Sequence, residues 1–249
     1  MMHQFILTPA MGKRLIGKAV AVHPAIREAL KSGTVVIVAG TTNAYVAQEV
    51  LAAAGQTGDF ESQGFRRGLV VPPGVDVPKA EFGGDVVLVE GKWQKGKQIF
   101  DVVDDLGEGD VIVKGANAVD PVSRRAGVLI GDPRCGTAGA ALPAVVGSRV
   151  KLLVPVGLEK RVFEEIGDLA ELLNDPEATG PRMLALPGEV ITELDALKQL
   201  TGCDARLVAG GGVCGAEGSI WIAAIGEGEQ VTTVGELVEQ LRAEPPCRP

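Results

Sequence analysis

The residues best suited to bind a ligand follow an apolar run at residues 34–39 that passes directly into a helix-like pattern. They are Gly40, Thr41, Thr42 and Asn43. Where a buried strand turns through small polar residues into a helix, free backbone N–H groups and the positive end of the helix dipole converge. The segment therefore predicts a site for an acidic, in particular a phosphorylated, small molecule. Alternatively, Thr41, Thr42 or Asn43 serves only as the helix N-cap, which favours these residue types.

A second polar group ends a predicted strand at residues 110–114. Lys114 and Asn117 would stand at the carboxyl end of this strand, where open α/β sheets bind ligands. A lysine after an apolar run is costly to bury unless it meets an anion. The alternative is a lysine at the sheet edge whose ammonium reaches solvent. Asp120 is a candidate acid or base but equally a turn residue, because Pro121 follows it.

The most distinctive polar cluster consists of Asp132, Arg134, Cys135 and Thr137. Asp132 is a third candidate for acid–base chemistry, beside the lysine and the aspartate named above. Arg134, with Gly136 and Thr137, is predicted to form a second anion contact. Cys135 lies beside an arginine and just before a predicted helix, which favours the thiolate. The alternative that we favour for Cys135 is a small buried residue that allows close packing.

Other candidates have simpler interpretations. Lys13 and Lys18 lie on the polar face of the first predicted helix, where solvated charges are the default. His23 is expected to cap a helix. A glycine-dense link at residues 210–218 is expected to be a flexible hairpin, with Glu217 as a speculative additional carboxylate.

The elements that position these residues alternate along the chain. Predicted strands cover residues 34–39, 86–90, 98–103, 110–114, 127–130 and 151–156. Predicted helices cover residues 12–31 with a break at Pro24, 43–54, 136–146 and 159–173, and residues 60–79 are expected to be a loop. Apolar strands alternating with helices predict an α/β fold with a mostly parallel sheet covered by helices on both faces.

A composition shift at residues 174–181 divides the chain. We predict an α/β domain at residues 1–175 and a small unit at residues 182–245 that acts as a lid or an interface. The second part is predicted as strand 183–186, helix 192–200, strands 205–209 and 219–225, and helix 234–241. This β-α-β-β-α order is most of a ferredoxin-like unit.

Composition excludes several classes of function. The 249 residues carry a formal net charge of −8, which argues against nucleic-acid binding. The four cysteines and two histidines show no metal-ligand spacing, so we expect neither a metal nor a cofactor. No apolar run reaches the roughly 18 residues of a membrane span. We therefore expect a cytoplasmic homo-oligomer that binds a small molecule and neither nucleic acid nor membrane.

Three segments resemble one superfamily. VAGTTNAYVAQEVL, residues 38–51, is similar to the phosphate loop of ribose-5-phosphate isomerases. VIVKGANAVD, residues 111–120, is similar to their strand that ends in Asp-Gly-Ala-Asp-Glu-Val-Asp. GVLIGDPRCGTAGAALPAV, residues 127–145, resembles initiation factor 2B subunits and methylthioribose-phosphate isomerases. The superfamily also includes glucosamine-6-phosphate deaminases, CoA transferases and the sugar-binding domains of DeoR-type regulators.

The resemblance implies the fold of the ribose-5-phosphate isomerases, with a sugar phosphate or nucleotide as ligand. At the positions of the isomerases' catalytic acids the chain has Lys114, Asn117 and Ala118, and only Asp120 matches. We therefore expect either an isomerase-like enzyme that uses Lys114, Asp120 and Asp132, or a non-catalytic effector-binding protein of the same fold. CoA or acyl transfer is a third, weaker alternative.

Overall fold

The computed structural model describes residues 1–58, 60–67, 74 and 83–246 of the chain. The helices are α1 (Pro9–Val22), α2 (Pro24–Ser32), α3 (Thr41–Ala53), α4 (Gly136–Leu142), α5 (Ile166–Asn174), α6 (Glu193–Thr201) and α7 (Gly228–Leu241). The strands are β1 (Met2–Leu7), β2 (Thr34–Ile37), β3 (Val86–Val89), β4 (Lys92–Trp93), β5 (Val111–Val113), β6 (Ala118–Asp120), β7 (Arg125–Ile130), β8 (Lys151–Pro155), β9 (Arg182–Leu186), β10 (Glu189–Ile191), β11 (Asp204–Gly210) and β12 (Ile220–Ile225). The predicted α/β class is confirmed.

A six-stranded mixed sheet forms the centre, in the order β10-β8-β5-β2-β3-β4. Strands β10, β8, β5 and β2 run parallel, with Val36 beside Ile112. Strands β3 and β4 add an antiparallel edge. Because parallel neighbours end at the same edge of a sheet, the residues after β2, β5 and β8 are brought together.

Alternate residues of the central strands belong to two different cores. Val35, Ile37 and Val113 pack in the larger core with residues of α1 and α3. Val36 and Ile112 face the opposite side and pack with residues of α4 and β7. This alternation, with every one of these side chains fully buried, explains why the strands are apolar on both faces.

The carboxyl-terminal strands do not share one sheet, as the ferredoxin-like prediction requires. β9 pairs with β7, whereas β10 joins the central sheet beside β8. β11 and β12 pair with the amino-terminal β1, which the sequence reading missed. These pairings cross the predicted boundary at residues 174–181. Periodicity identifies a strand but not the distant edge with which it forms hydrogen bonds.

Several local predictions differ from the observed elements. Residues 98–103, predicted as a strand, form 3₁₀ turns at Ile99–Asp101 and Val103–Asp105, and the Asp101 carboxylate accepts from the Gln98 amide at 2.7 Å. The hairpin turn that follows β3 lies at Glu90 and Gly91, both with positive φ. The predicted helix 159–173 begins only at Ile166.

Part of the sequence analysis concerns residues that the structure does not describe. Much of the loop predicted at residues 60–79 lies outside the described residues, and so does Cys247, one of the four cysteines. In the described part of the chain, no helix has the length and apolar character that a membrane span requires.

The close approach of α1 to α3 predicts a stability effect at Gly17. A Cβ at this position would lie 3.0 Å from the carbonyl carbon and oxygen of Tyr45. We expect Gly17→Ala to force the helices apart and to lower the free energy of unfolding by about 1–3 kcal/mol. Gly167 of α5 is the matched control, because nothing lies within 4 Å of its Cβ position. Urea unfolding of both variants tests this, and equal midpoints would contradict it.

Candidate functional site

An open cleft of about 720 Å³ lies where the central parallel strands end. Residues 38–43, which connect β2 to α3, form one wall, and residues 114–117 follow β5. Residues 128–132 at the end of β7 and residues 135–138 at the start of α4 form the opposite wall. The cleft is therefore assembled from the strand ends at which the sequence predicted a ligand.

Most of the predicted site residues line this cleft. They are Gly40, Thr41, Thr42, Asn43, Lys114, Asn117, Asp132, Gly136 and Thr137, together with Cys135. Asp120 and Arg134 do not line it. The three sequence segments thus meet in space, although they are separated by tens of residues along the chain.

The amino terminus of α3 carries no side-chain cap. Gly40 is the N-cap residue and Thr41 is the first residue of the helix, so the capping role considered for the threonines and Asn43 is not observed. The amides of the first helical turn have no intrahelical acceptor. Because Thr41, Thr42 and Asn43 line the cleft, the positive end of the helix dipole lies at its wall.

The side chain of Asn43 joins the ends of two strands. Its Nδ2 donates to the carbonyl oxygens of Val38 at 2.7 Å and Val113 at 3.1 Å. These two acceptors fix the orientation of the amide, and Oδ1 is buried without a hydrogen-bond partner. The Oγ1 atom of Thr42 is also buried and unpartnered. Unsatisfied buried polar atoms cost about 1–3 kcal/mol each, so two such atoms, without partners among the described residues, belong to residues of the cleft wall.

Lys114 is buried at the end of β5 rather than exposed at a sheet edge. The residue lines the cleft and is only 8% exposed. Its backbone amide donates to the Leu153 carbonyl at 3.0 Å, which places it between β5 and β8 in the interior of the sheet. Burial, and then the positive charge of Arg67, lowers the pKa of Lys114 to about 8, although Asp85 opposes the shift.

Asp85 and Arg67 are site residues that the sequence reading missed. The buried Asp85 carboxylate accepts from the amides of Ala39 at 2.9 Å and Ile99 at 2.8 Å. It also forms an ion pair with Arg67 at 2.8 Å. The Arg67 guanidinium lies 5.6 Å from the ring centroid of Phe100, and both residues line the cleft. Nothing in the spacing of these residues indicated that they would meet.

Lys160 is a further cleft residue that the sequence did not indicate. It follows β8, and its Nζ donates to the carbonyl oxygen of Ala116 at 2.9 Å. The only signal available was its position after a predicted central strand, the same signal that identified Lys114.

The two candidate aspartates have different environments. Asp120 accepts from the Val122 amide at 2.9 Å and from the Ser123 hydroxyl, which forms a short hydrogen bond. The Ser123 hydroxyl lowers the pKa of the Asp120 carboxyl, so Asp120 is an ionised residue that ends β6, binds the turn after it and lies outside the cleft. Asp132 lines the cleft, and its Oδ1 accepts from the Arg134 amide at 2.7 Å.

Cys135 occupies a strained position in the cleft wall. Its φ of 61° lies in the left-handed region. A Cβ on Gly139 would lie 2.4 Å from the Arg134 carbonyl oxygen and 2.9 Å from the Cys135 Cβ. Gly139 thus permits a tight turn at the start of α4, whereas Cys135 is half-buried and not the buried residue that we expected.

The other predicted candidates lie outside the cleft. His23 caps α2 by accepting from the Ala25 amide at 3.2 Å. Lys18 approaches Glu49 at 3.9 Å, whereas Lys13 is buried and pairs with Glu159 at 3.4 Å, so its assignment as a solvated charge is wrong. The Glu217 carboxylate accepts from the nearby Gly215 amide.

The comparisons with known proteins add no family. No protein-family model, no curated protein and no solved structure matches the chain. Across the residues that the structure describes, no three His, Cys, Asp or Glu side chains are grouped to hold a metal ion.

A buried glutamate near Lys13 generates a pH prediction. Glu193 is 1% exposed and accepts from the Leu158 amide at 2.9 Å. Burial, and then the neighbouring Glu159 carboxylate, raises the pKa of Glu193. The folded state therefore retains a proton that the unfolded chain releases. We expect stability to fall as the pH rises from about 5 to about 9, and Glu193→Gln to remove this component. Urea midpoints measured across this range should diverge for the two proteins, and parallel profiles would contradict the assignment.

Proposed function

We propose that the protein binds a phosphorylated small molecule, a sugar phosphate or a nucleotide, in the cleft at the strand ends. One observation carries the proposal: the uncapped amino terminus of α3 and the buried Lys114 line the same cleft. Backbone amides at a helix amino terminus bind phosphate oxygens, and a buried ammonium gains most from an anion.

The distribution of charge supports an anionic ligand. Lys114, Lys160 and Arg67 all line the cleft, whereas the chain as a whole carries a formal net charge of −8. A cationic cleft in an acidic protein attracts a small anion to this position. Asp132 also lines the cleft, and Arg67 is paired with Asp85.

The chemistry proposed for the bound molecule is acid–base catalysis by Lys114 and Asp132, as in a sugar-phosphate isomerase. The alternative is a non-catalytic effector-binding protein. It is favoured by the position of Asp120 at the end of β6, outside the cleft, with its carboxylate bound to the turn that follows. Acyl transfer through a glutamate nucleophile has less support, since no glutamate is among the described residues of the cleft. We further propose the ribose-phosphate-isomerase-like fold and a cytoplasmic homo-oligomer.

The test of phosphate binding is a thermal-shift screen with sugar phosphates, nucleotides and CoA esters. A ligand at one hundred times its dissociation constant would stabilise the protein by about 2.7 kcal/mol. The corresponding unphosphorylated sugars should produce no shift. Assays of turnover for any hit, with Asp132→Asn beside the wild type, then distinguish an enzyme from a sensor.

Thr42→Val gives the sharper prediction for the site. Valine replaces a buried hydroxyl that has no partner, so we expect the ligand-free variant to be as stable as the wild type or up to about 1 kcal/mol more stable. Loss of the hydroxyl should weaken binding of the phosphorylated ligand by about fivefold to tenfold. Isothermal titration and unfolding together measure both effects.

Lys114→Met should weaken binding further, because it removes a charge from the cleft. Lys31→Met is the matched control: Lys31 is exposed and lies in the last turn of α2, before β2 begins and therefore at the opposite end of the strand from the cleft. Equal affinities in the Thr42, Lys114 and Lys31 variants, or no stabilisation by any phosphorylated compound, would refute the proposal.

A further inference from the structure

Lys114 is a buried amine in a cleft wall, with open volume beside it. The residue is 8% exposed, and it lies at the carboxyl end of a strand in the interior of the central sheet. A ligand whose phosphate lies at the start of α3 would occupy the same cleft. Lys114 and the start of α3 therefore line the one cleft that such a ligand would occupy.

The Lys114 ammonium forms no hydrogen bond or ion pair with the described residues, and Asp85 acts on it only as a nearby charge. The Asp85 carboxylate, whose charge favours the ammonium, is already bound by Arg67 and by the amides of Ala39 and Ile99. Burial without a counterion, next to a second cation, is the environment that makes a lysine nucleophilic.

The proportion of neutral amine follows from this environment. With the pKa of Lys114 lowered to about 8, roughly a quarter of the molecules carry the free amine at pH 7.5. An exposed lysine has about one neutral amine in a thousand at the same pH. The neutral fraction at Lys114 therefore exceeds that of a surface lysine by about two orders of magnitude.

We propose that Lys114 forms an imine with the carbonyl carbon of a phosphorylated aldehyde or ketone bound in the cleft. This inference rests on the proposed phosphate site and adds the substrate class and the reacting atom. The Nζ lone pair attacks the carbonyl carbon, and the carbonyl electrons and a proton form the hydroxyl of a carbinolamine. Loss of that hydroxyl with a second amine proton releases one water and leaves the carbon–nitrogen double bond. Hydrolysis reverses the step, so no oxidant or reductant is consumed.

We expect Lys114 to be a better nucleophile than Lys160, the other lysine among the described residues of the cleft, because the Nζ of Lys160 already donates a hydrogen bond to the Ala116 carbonyl. This difference allows the position of an adduct to distinguish specific reaction at Lys114 from general lysine reactivity.

The experiment traps the imine with sodium cyanoborohydride and D-glyceraldehyde 3-phosphate, followed by peptide mapping of every lysine. We expect the reduced adduct at Lys114 to exceed that at the exposed Lys31 and Lys92 by about 100-fold at pH 7.5. Glycerol 3-phosphate, which has no carbonyl group, should compete with the aldehyde and form no adduct.

Lys114→Arg separates the covalent step from binding. Arginine keeps a positive charge for the phosphate but does not offer a neutral amine. We expect this variant to retain thermal stabilisation by glycerol 3-phosphate and to lose the adduct. Arg67→Gln removes a cation that disfavours the ammonium form of Lys114. We therefore expect the pH midpoint of adduct formation to be higher in this variant than in the wild type.

Two outcomes would overturn the inference, and only the first of them is compatible with the proposed phosphate binding. If glycerol 3-phosphate stabilises the protein but the adduct is absent or spread equally over the lysines, imine formation is refuted and phosphate binding is retained. If neither phosphorylated compound stabilises the protein and no adduct forms at Lys114, both proposals fail for this class of ligand.

Discussion

The buried carboxylate of Asp85 is the constraint on which the cleft depends. Its oxygens bind the amide that precedes Gly40, the amide that starts the 3₁₀ turn at Ile99, and the guanidinium of Arg67. One side chain thus links the loop between β2 and α3 to the antiparallel edge of the sheet. A buried carboxylate is costly unless several donors bind it. The hydrogen bonds to Asp85 therefore also fix the positions of these donors.

The same contacts determine the charge of the cleft. Asp85 is fully engaged by Arg67 and by two amides, so it does not neutralise Lys114 through an ion pair. The amino terminus of α3 has no side-chain cap, and Thr42 and Asn43 retain unpartnered oxygens. Positive charge and unsatisfied polar groups are costly in a folded protein unless a ligand compensates them. The phosphorylated ligand proposed above would supply an anion to the Lys114 side of the cleft.

Local patterns in the sequence were sufficient to predict where the central strands end. The apolar runs before Gly40 and Lys114 predicted buried strands, and the parallel arrangement places the residues after them at one edge of the sheet. The same reasoning failed for Asp120, whose carboxylate binds Val122 and Ser123 instead of facing the cleft. Proline after an aspartate indicated a turn, but sequence alone did not decide between the turn and the catalytic role.

By itself, the sequence determined the α/β class, the buried central strands and the polar segments that end them, because hydrophobic periodicity and small polar residues act over a few neighbours. Only the tertiary structure decided that β1 pairs with β12, that β9 and β10 join different sheets, and that Asp85 pairs with Arg67 rather than with Lys114. These choices depend on contacts between residues far apart in the chain. The environment of Lys114 follows from them, since burial and the charges around it are properties of the packed molecule.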